Sequence, residues 1–400
     1  MPHVNLASPA LLLAPHTVYP AHNGSDILVD RTARYLSMHV PFVDVLTSEE
    51  VLRFQDGRIS HRELHGGQMR SKVLGAMRTV VLRSHYYKEK FLTPNYKRLA
   101  RRYLSNETYQ LVLASYITTA ELLLKATKAT ASRVEVAMTH NDEFRWFQDL
   151  YATTKNPLGK LAARSSKNWL HRFLPRYAQR FVYAHVTQTD LDGFGKVVPN
   201  MLSIVMPIGA DIEPEPAPPI PTHQSPIRLL FVGSLSVQMN FDALQFFSVK
   251  YYPRLKEAFG DSLAIDIAGS NPTTAVESLC DAHGWSLHPN VSDEALQALY
   301  ARSLFALLPF GYATGAKLKL LGALGHGVPV LATRSVQAQA DMLAPPSFMS
   351  DDAQDWIDHI HAVHASGLSQ AQRASIRALA MTYSWQASVQ HLLDGLRALD

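Results

Sequence analysis

The stretch "ATGAKLKLLGALGHGVPVLATRS", residues 313–335, decides how the chain folds. Its second half follows local rules. Gly325 and Gly327 stop a helix, and Val328 and Val330 restart the chain as a buried strand. A helix that hands over to an apolar, β-branched strand is one repeat of an α/β sheet. The first half poses a chemical question. A helix opening at Gly315 and Ala316 carries Lys317 and Lys319 in its first turn, where the dipole is positive and cations are disfavoured. An anion resolves the conflict. Free backbone N–H groups, a glycine that permits close approach and lysine make a phosphate site.

Outward from this stretch the same texture repeats. In the N-terminal half "LLLAP", "FVDVLT", "YQLVLAS", "RVEVAMT", "FVYAHVT" and "LSIVMP" read as short buried strands, with helical patterns such as "TTAELLLKATKA" between several of them. Residues 207–226, "PIGADIEPEPAPPIPTHQSP", are too rich in proline for a helix interior or a central strand and read as a semi-rigid connector. Beyond it "RLLFVGSL", "LAIDIAG", "SLHPNV", "LFALLPF" and "VPVLAT" resume the alternation. The expectation is two α/β domains, residues 1–206 and 227–400, joined by a 207–226 linker, with ligands at the C-terminal ends of the strands.

The composition agrees. With 400 residues, 47% hydrophobic and 18% charged, the chain suits two globular domains. A net charge of +4 suits an acidic ligand or an anionic membrane face. The one cysteine, Cys280, rules out an internal disulfide and reads as a small core residue of an amphipathic helix. There is no basic n-region at the start and no apolar run of membrane-spanning length. The expected location is the cytoplasm, with room for peripheral contact at the inner face of the membrane.

Four stretches of the C-terminal half resemble, in order and spacing, the donor-binding half of family-4 GT-B glycosyltransferases (glycosyl transferases group 1). They are "LLFVGSLSVQMNFDALQFF" (229–247), "IDIAGSNP" (265–272), "HPNVSDEALQALYARSLFALLPF" (288–310) and the opening stretch. In the N-terminal half "YPAHNGSDILVDRTARYL" (19–36), "VAMTHNDEFRWF" (136–147) and "AHVTQTDLDGF" (184–194) resemble the same group more loosely. The resemblance implies two Rossmann-like domains facing a central cleft, with a C-terminal helix that can cross back to the N-terminal domain. It implies a retaining transfer from a nucleotide sugar, a co-substrate needing no cofactor, to a glycan, lipid-linked or small-molecule acceptor. It places the donor diphosphate against Gly24, Gly233, Gly315, Ala316, Lys317 and Lys319, and the nucleotide base near Asn271 and Val291. His140, at a strand's C-terminal end, would face a sugar. The two glutamates that many members carry eight positions apart are Thr314 and Gly322 here. That departure keeps open a second reading, a non-catalytic sugar-nucleotide binder or a partner subunit of a glycosyltransferase.

Charge on the departing diphosphate grows in the transition state, so fixed positive charge there is the largest help a protein can give. Lys319 and the helix N-terminus could supply it without a metal. Residues two apart on a helix do not face each other, so only one of the two lysines is expected to reach the phosphate; the resemblance implies Lys319, where the family's most regular lysine falls. Gly24 and Gly233 either line the diphosphate or make simple tight turns. Asn240 and Asp190 read as helix N-caps, and the "DLD" of Asp190 to Asp192 is not expected to bind metal. No nucleic-acid motif or dinucleotide fingerprint occurs. Residues 65–103 hold ten Lys and Arg against one acid, Glu89, with Tyr86, Tyr87, Phe91 and Tyr96 interleaved. They form either a solvated face or a surface for anionic membrane or a phosphate-bearing lipid.

Overall fold

The computed structural model describes residues 5–21, 24–65, 69–106, 108–125, 133–212, 218–311, 316–336, 343 and 345–399. The chain divides into two compact units, residues 1–208 with 388–400, and residues 209–387.

The first unit is built on strands β1 (Ala10–Leu13), β2 (Val43–Leu46), β3 (Glu50–Gln55), β4 (Arg58–Leu64), β5 (Leu111–Ser115), β6 (Val134–Met138), β7 (Val182–His185) and β8 (Ser203–Val205). Their order in the sheet is β4-β3-β2-β1-β5-β6-β7-β8. β1, β2, β5, β6, β7 and β8 pair in parallel, and β1, β5 and β6 are buried along their whole length. Mostly apolar runs are what a parallel sheet covered on both faces requires; the exception inside β6, Glu135, is paired with Arg180 at 2.7 Å. β3 and β4 are antiparallel and depart from the all-parallel expectation. Their two-residue turn is Asp56-Gly57, at φ +49° and +74°, a pair chosen because both positions must be left-handed.

The second unit has strands β9 (Ile227–Val232), β10 (Leu263–Gly269), β11 (Ser286–Pro289), β12 (Phe305–Leu308), β13 (Val330–Ala332) and β14 (Phe348–Met349), in the order β11-β10-β9-β12-β13-β14. Every pairing is parallel. β14 is too short to show a period and was not expected. The helix Ala316–Gly325 precedes β13. A Cβ on Gly325 would fall 2.6 Å from the Asp211 carbonyl oxygen, and Gly327 has φ +69° with the Arg373 carbonyl 2.9 Å from its missing Cβ. Both glycines are therefore fixed by backbone packing as well as by the turn. Ala210 and Ile220, in the proline-rich stretch, are buried and bridge to Ser384 and Leu368.

Cys280 is buried in the helix Thr274–His283, where burial pushes its thiol up to about 11. Two expected caps are corrected. Thr187, not Asp190, caps Gln188–Val197; its hydroxyl accepts from the Asp190 N–H and donates to the Asp190 carboxylate. Asn240 lies in the first turn of Gln238–Lys250, behind Val237 at the N-cap, and its amide turns back to the Ser234 carbonyl in the preceding loop. "TTAELLLKATKA" begins as a 3-10 helix, Thr119–Lys125, and then leaves the described residues.

Candidate active site

In the second unit, β9 and β10 converge at their C-terminal ends. A Cβ on Gly269 would lie 1.7 Å from the Gly233 carbonyl oxygen, so no side chain fits there. Gly233 N–H donates to the Ala268 carbonyl at 3.0 Å. Gly233 in turn leaves room for two side chains. The position its Cβ would take is 2.8 Å from Lys319 Cε and 3.0 Å from Asn240 Nδ2. Asn240 Nδ2 donates to the Ser234 carbonyl at 2.7 Å. Its Oδ1 is buried with no hydrogen-bond partner among the described residues.

Lys319 is one turn into the helix Ala316–Gly325. Its Nζ lies 5.3 Å from the centre of the Phe310 ring. Burial pulls the ammonium down to about 8, and no acidic side chain among the described residues offsets that loss. A buried cation without a carboxylate is costly unless something negative arrives. The arrangement is thus a desolvated, positively charged notch around a half-buried ammonium, with an amide oxygen that has no partner among the described residues, walled by two glycine backbones. Ala316 and Lys317 are the first two residues of the same helix; their side chains, and all of Gly315 and Thr314, lie outside the described residues. Gly322 is one turn beyond Lys319, and a Cβ there would be 3.5 Å from the Tyr300 hydroxyl.

Nearby strand ends carry the residues expected near a base. Asn271 has φ +51°, and its N–H donates to Asn290 Oδ1 at 2.9 Å. Asn290 also has φ +51° and donates its N–H to the Gly269 carbonyl at 2.8 Å. Asparagine tolerates the left-handed region better than most side chains. Val291 follows it, half-buried, so the ends of β10 and β11 bring Asn271 and Val291 together.

The first unit gathers a different set at the C-terminal ends of β1, β5 and β6. The His140 ring stacks on Tyr116 with centroids 3.8 Å apart and planes 2° from parallel. Its Nε2 is 2.8 Å from Ser115 Oγ. Burial, helped by the neighbouring His16, pushes His140 down to about 3, so the imidazole is neutral at any ordinary pH. Tyr116 sits at φ +66°, a region that bulky side chains rarely adopt. Its hydroxyl is 2.6 Å from Ser25 Oγ, which ties it to the helix Gly24–Leu36. Gly24 opens that helix and is exposed. His16 Nδ1 lies 3.3 Å from Asp26 Oδ1 in the same first turn. Sequence reasoning missed Tyr116, Ser25, His16 and Asp26. The signal it lacked is that they meet only after three strands lie side by side. Among the described residues no group of three or more His, Cys, Asp or Glu could hold a metal ion.

Residues 226–366 match the family model for glycosyl transferases group 1. By sequence alone no curated protein matches the chain significantly. Solved structures match throughout. The lipopolysaccharide outer core galactosyltransferase WaaB, in its apo form, has a TM-score of 0.59 at 11% identity, covering 98% of this chain and 100% of WaaB. HepE of Anabaena, in complex with UDP and glucose, has a TM-score of 0.56 at 12% identity, covering 98% and 100%. A glycosyltransferase from Rickettsia africae has a TM-score of 0.59 at 12% identity, covering 99% of each chain. The two-unit α/β architecture is therefore the GT-B fold of glycosyltransferases, and the unit that carries Lys319 carries the group-1 match.

Proposed function

We propose that the chain is a glycosyltransferase that moves a hexosyl group from a nucleotide-sugar donor to a glycan, lipid-linked or small-molecule acceptor. The observation that carries this reading is Lys319, a half-buried, desolvated cation beside Gly233 and Asn240 with no acid to pair it among the described residues. A donor diphosphate supplies the missing negative charge. When the anomeric C–O bond breaks, its electron pair stays on the diphosphate, and the ammonium stabilises that charge more than it stabilised the bound donor. The acceptor hydroxyl bonds to the anomeric carbon and gives up its proton to the departing phosphate. His140, held neutral, cannot serve as an ionised acid near neutrality; it can hydrogen-bond a sugar hydroxyl. Retention of configuration rests on the family resemblance. Metal independence rests on Lys319 doing the work a cation would do. The cytoplasm, at or near the inner face of the membrane, is the proposed place of action.

Thr314 and Gly322, in place of the family's glutamates, favour the second reading, a sugar-nucleotide binder without turnover. UDP-sugars are the first donors to test, since HepE, of the same fold, is seen with UDP and glucose. Release of UDP from such a donor, with and without EDTA, separates the readings. Turnover that survives chelation supports the proposal. Tight binding without any UDP release points to the non-catalytic binder, and activity lost to EDTA and restored by Mg²⁺ contradicts the metal-free mechanism.

A further inference from the structure

The helix Lys72–Val81 of the first unit is inside out. It buries its small residues, Gly75, Ala76 and Thr79, and exposes its large apolar ones. Val73 is 62% exposed, Met77 51% and Val81 78%, and they follow one another at four-residue spacing along one face. Leu74, at 47%, and Leu82, at 52%, widen the stripe. A surface helix of a globular protein has the opposite pattern. The helix is no frayed end. Ser71 caps it, and Ser165 Oγ, from the helix Pro157–Tyr177, donates to the Thr79 carbonyl at 3.0 Å.

The charge around the stripe has one sign. Residues 65–103 hold ten Lys and Arg and one acid, Glu89. Glu89 is buried and paired with Arg78 at 3.2 Å, while Lys72 and Arg83 are exposed. Of the aromatic residues of the segment, Tyr86 and Tyr87 are half-buried and two are withdrawn from the surface. Phe91 and Tyr96 are buried, and the Tyr96 hydroxyl donates to the Ala14 carbonyl at 2.7 Å.

We infer that this face docks on an anionic lipid surface, with the apolar stripe in the headgroup–acyl boundary and the flanking cations against lipid phosphates. A second copy of the chain fits worse, because a two-fold contact would set Lys72 and Arg83 against the same cations of its mate. The docking surface rests on the glycosyltransferase reading only for its purpose, which is to bring the enzyme to a lipid-linked acceptor.

The test is co-sedimentation of the full chain with phosphatidylglycerol or phosphatidylcholine vesicles, with UDP affinity measured in parallel. The wild type should bind phosphatidylglycerol, release as salt is raised, and bind phosphatidylcholine weakly. Met77→Gln with Val81→Gln should lower partitioning at least about tenfold, since both side chains lose their burial in lipid. Both are exposed in the free protein, so the fold and UDP affinity should not change; that affinity reports on the nucleotide site separately. The inference is overturned if the wild type binds neither vesicle, or if the double variant binds like the wild type. It is equally overturned if light scattering shows a dimer that the double variant dissociates.

Discussion

The two units place their candidate residues at the same position, the C-terminal ends of parallel strands, yet build opposite environments there. In the second unit Lys319 is a cation starved of an acid, next to an amide oxygen with no partner among the described residues. In the first unit His140 is stacked, hydrogen-bonded and held neutral. The contrast teaches that strand ends fix where a ligand goes, and desolvation with or without compensation fixes what kind. On the proposed reading, an ammonium desolvated without an acid partner among the described residues selects an anion. On the same reading, a neutral imidazole held by Ser115 and Tyr116 would select hydroxyl groups by geometry.

The largest effect should come from removing the cation. A hydrogen bond to a charged group contributes roughly 1.5–3 kcal/mol, so Lys319→Ala should weaken UDP binding about 10- to 150-fold. Transfer should fall at least as far, because charge on the leaving group grows in the transition state. The fold should survive, since Lys319 contributes burial cost rather than an ion pair. Calorimetric titration with UDP, GDP and TDP would measure the loss. Affinities equal to the wild type for all three would dissolve the contrast between the units.

A smaller and different effect is expected at His140. A neutral hydrogen bond contributes roughly 0.5–1.5 kcal/mol, so His140→Ala should lower kcat about 2- to 12-fold. UDP affinity should be unchanged, and the pH–rate profile of the wild type should show no inflection in the usual histidine range. A loss of UDP affinity equal to that of Lys319→Ala would mean that the first unit also holds the phosphate.

Much of this was legible in the sequence because it depends on neighbours along the chain. The place of Lys319 on its helix, the glycine stops at Gly325 and Gly327, and eleven of the strands are local patterns. What was not legible depends on strangers in sequence. The desolvation of Lys319 needs Gly233 and Phe310 from beyond the ends of other strands, and the neutrality of His140 needs burial at a strand end and the neighbouring His16. The β3–β4 hairpin was missed although Asp56-Gly57 announced it. In residues 65–103 the sequence shows the charges and the aromatic residues, but not that Val73, Met77 and Val81 are exposed while Phe91 and Tyr96 are buried. Only tertiary packing decides which side of a short helix faces in.

The central claim, that Lys319 is the donor-phosphate cation, has a signature no structural lysine shares. With its free ammonium near 8, a bound diphosphate must raise that value, so affinity should be level just below pH 8, above the UDP phosphate's own titration at about 6, and fall above pH 8. Equivalently, UDP binding just above pH 8 should take up a substantial fraction of a proton. The measurement is UDP titration there in two buffers of different ionisation enthalpy, with the wild type and Lys319→Ala. The account predicts a buffer-dependent heat reporting proton uptake in the wild type, and its loss in Lys319→Ala. The same proton uptake in both proteins, or none in the wild type, would contradict it.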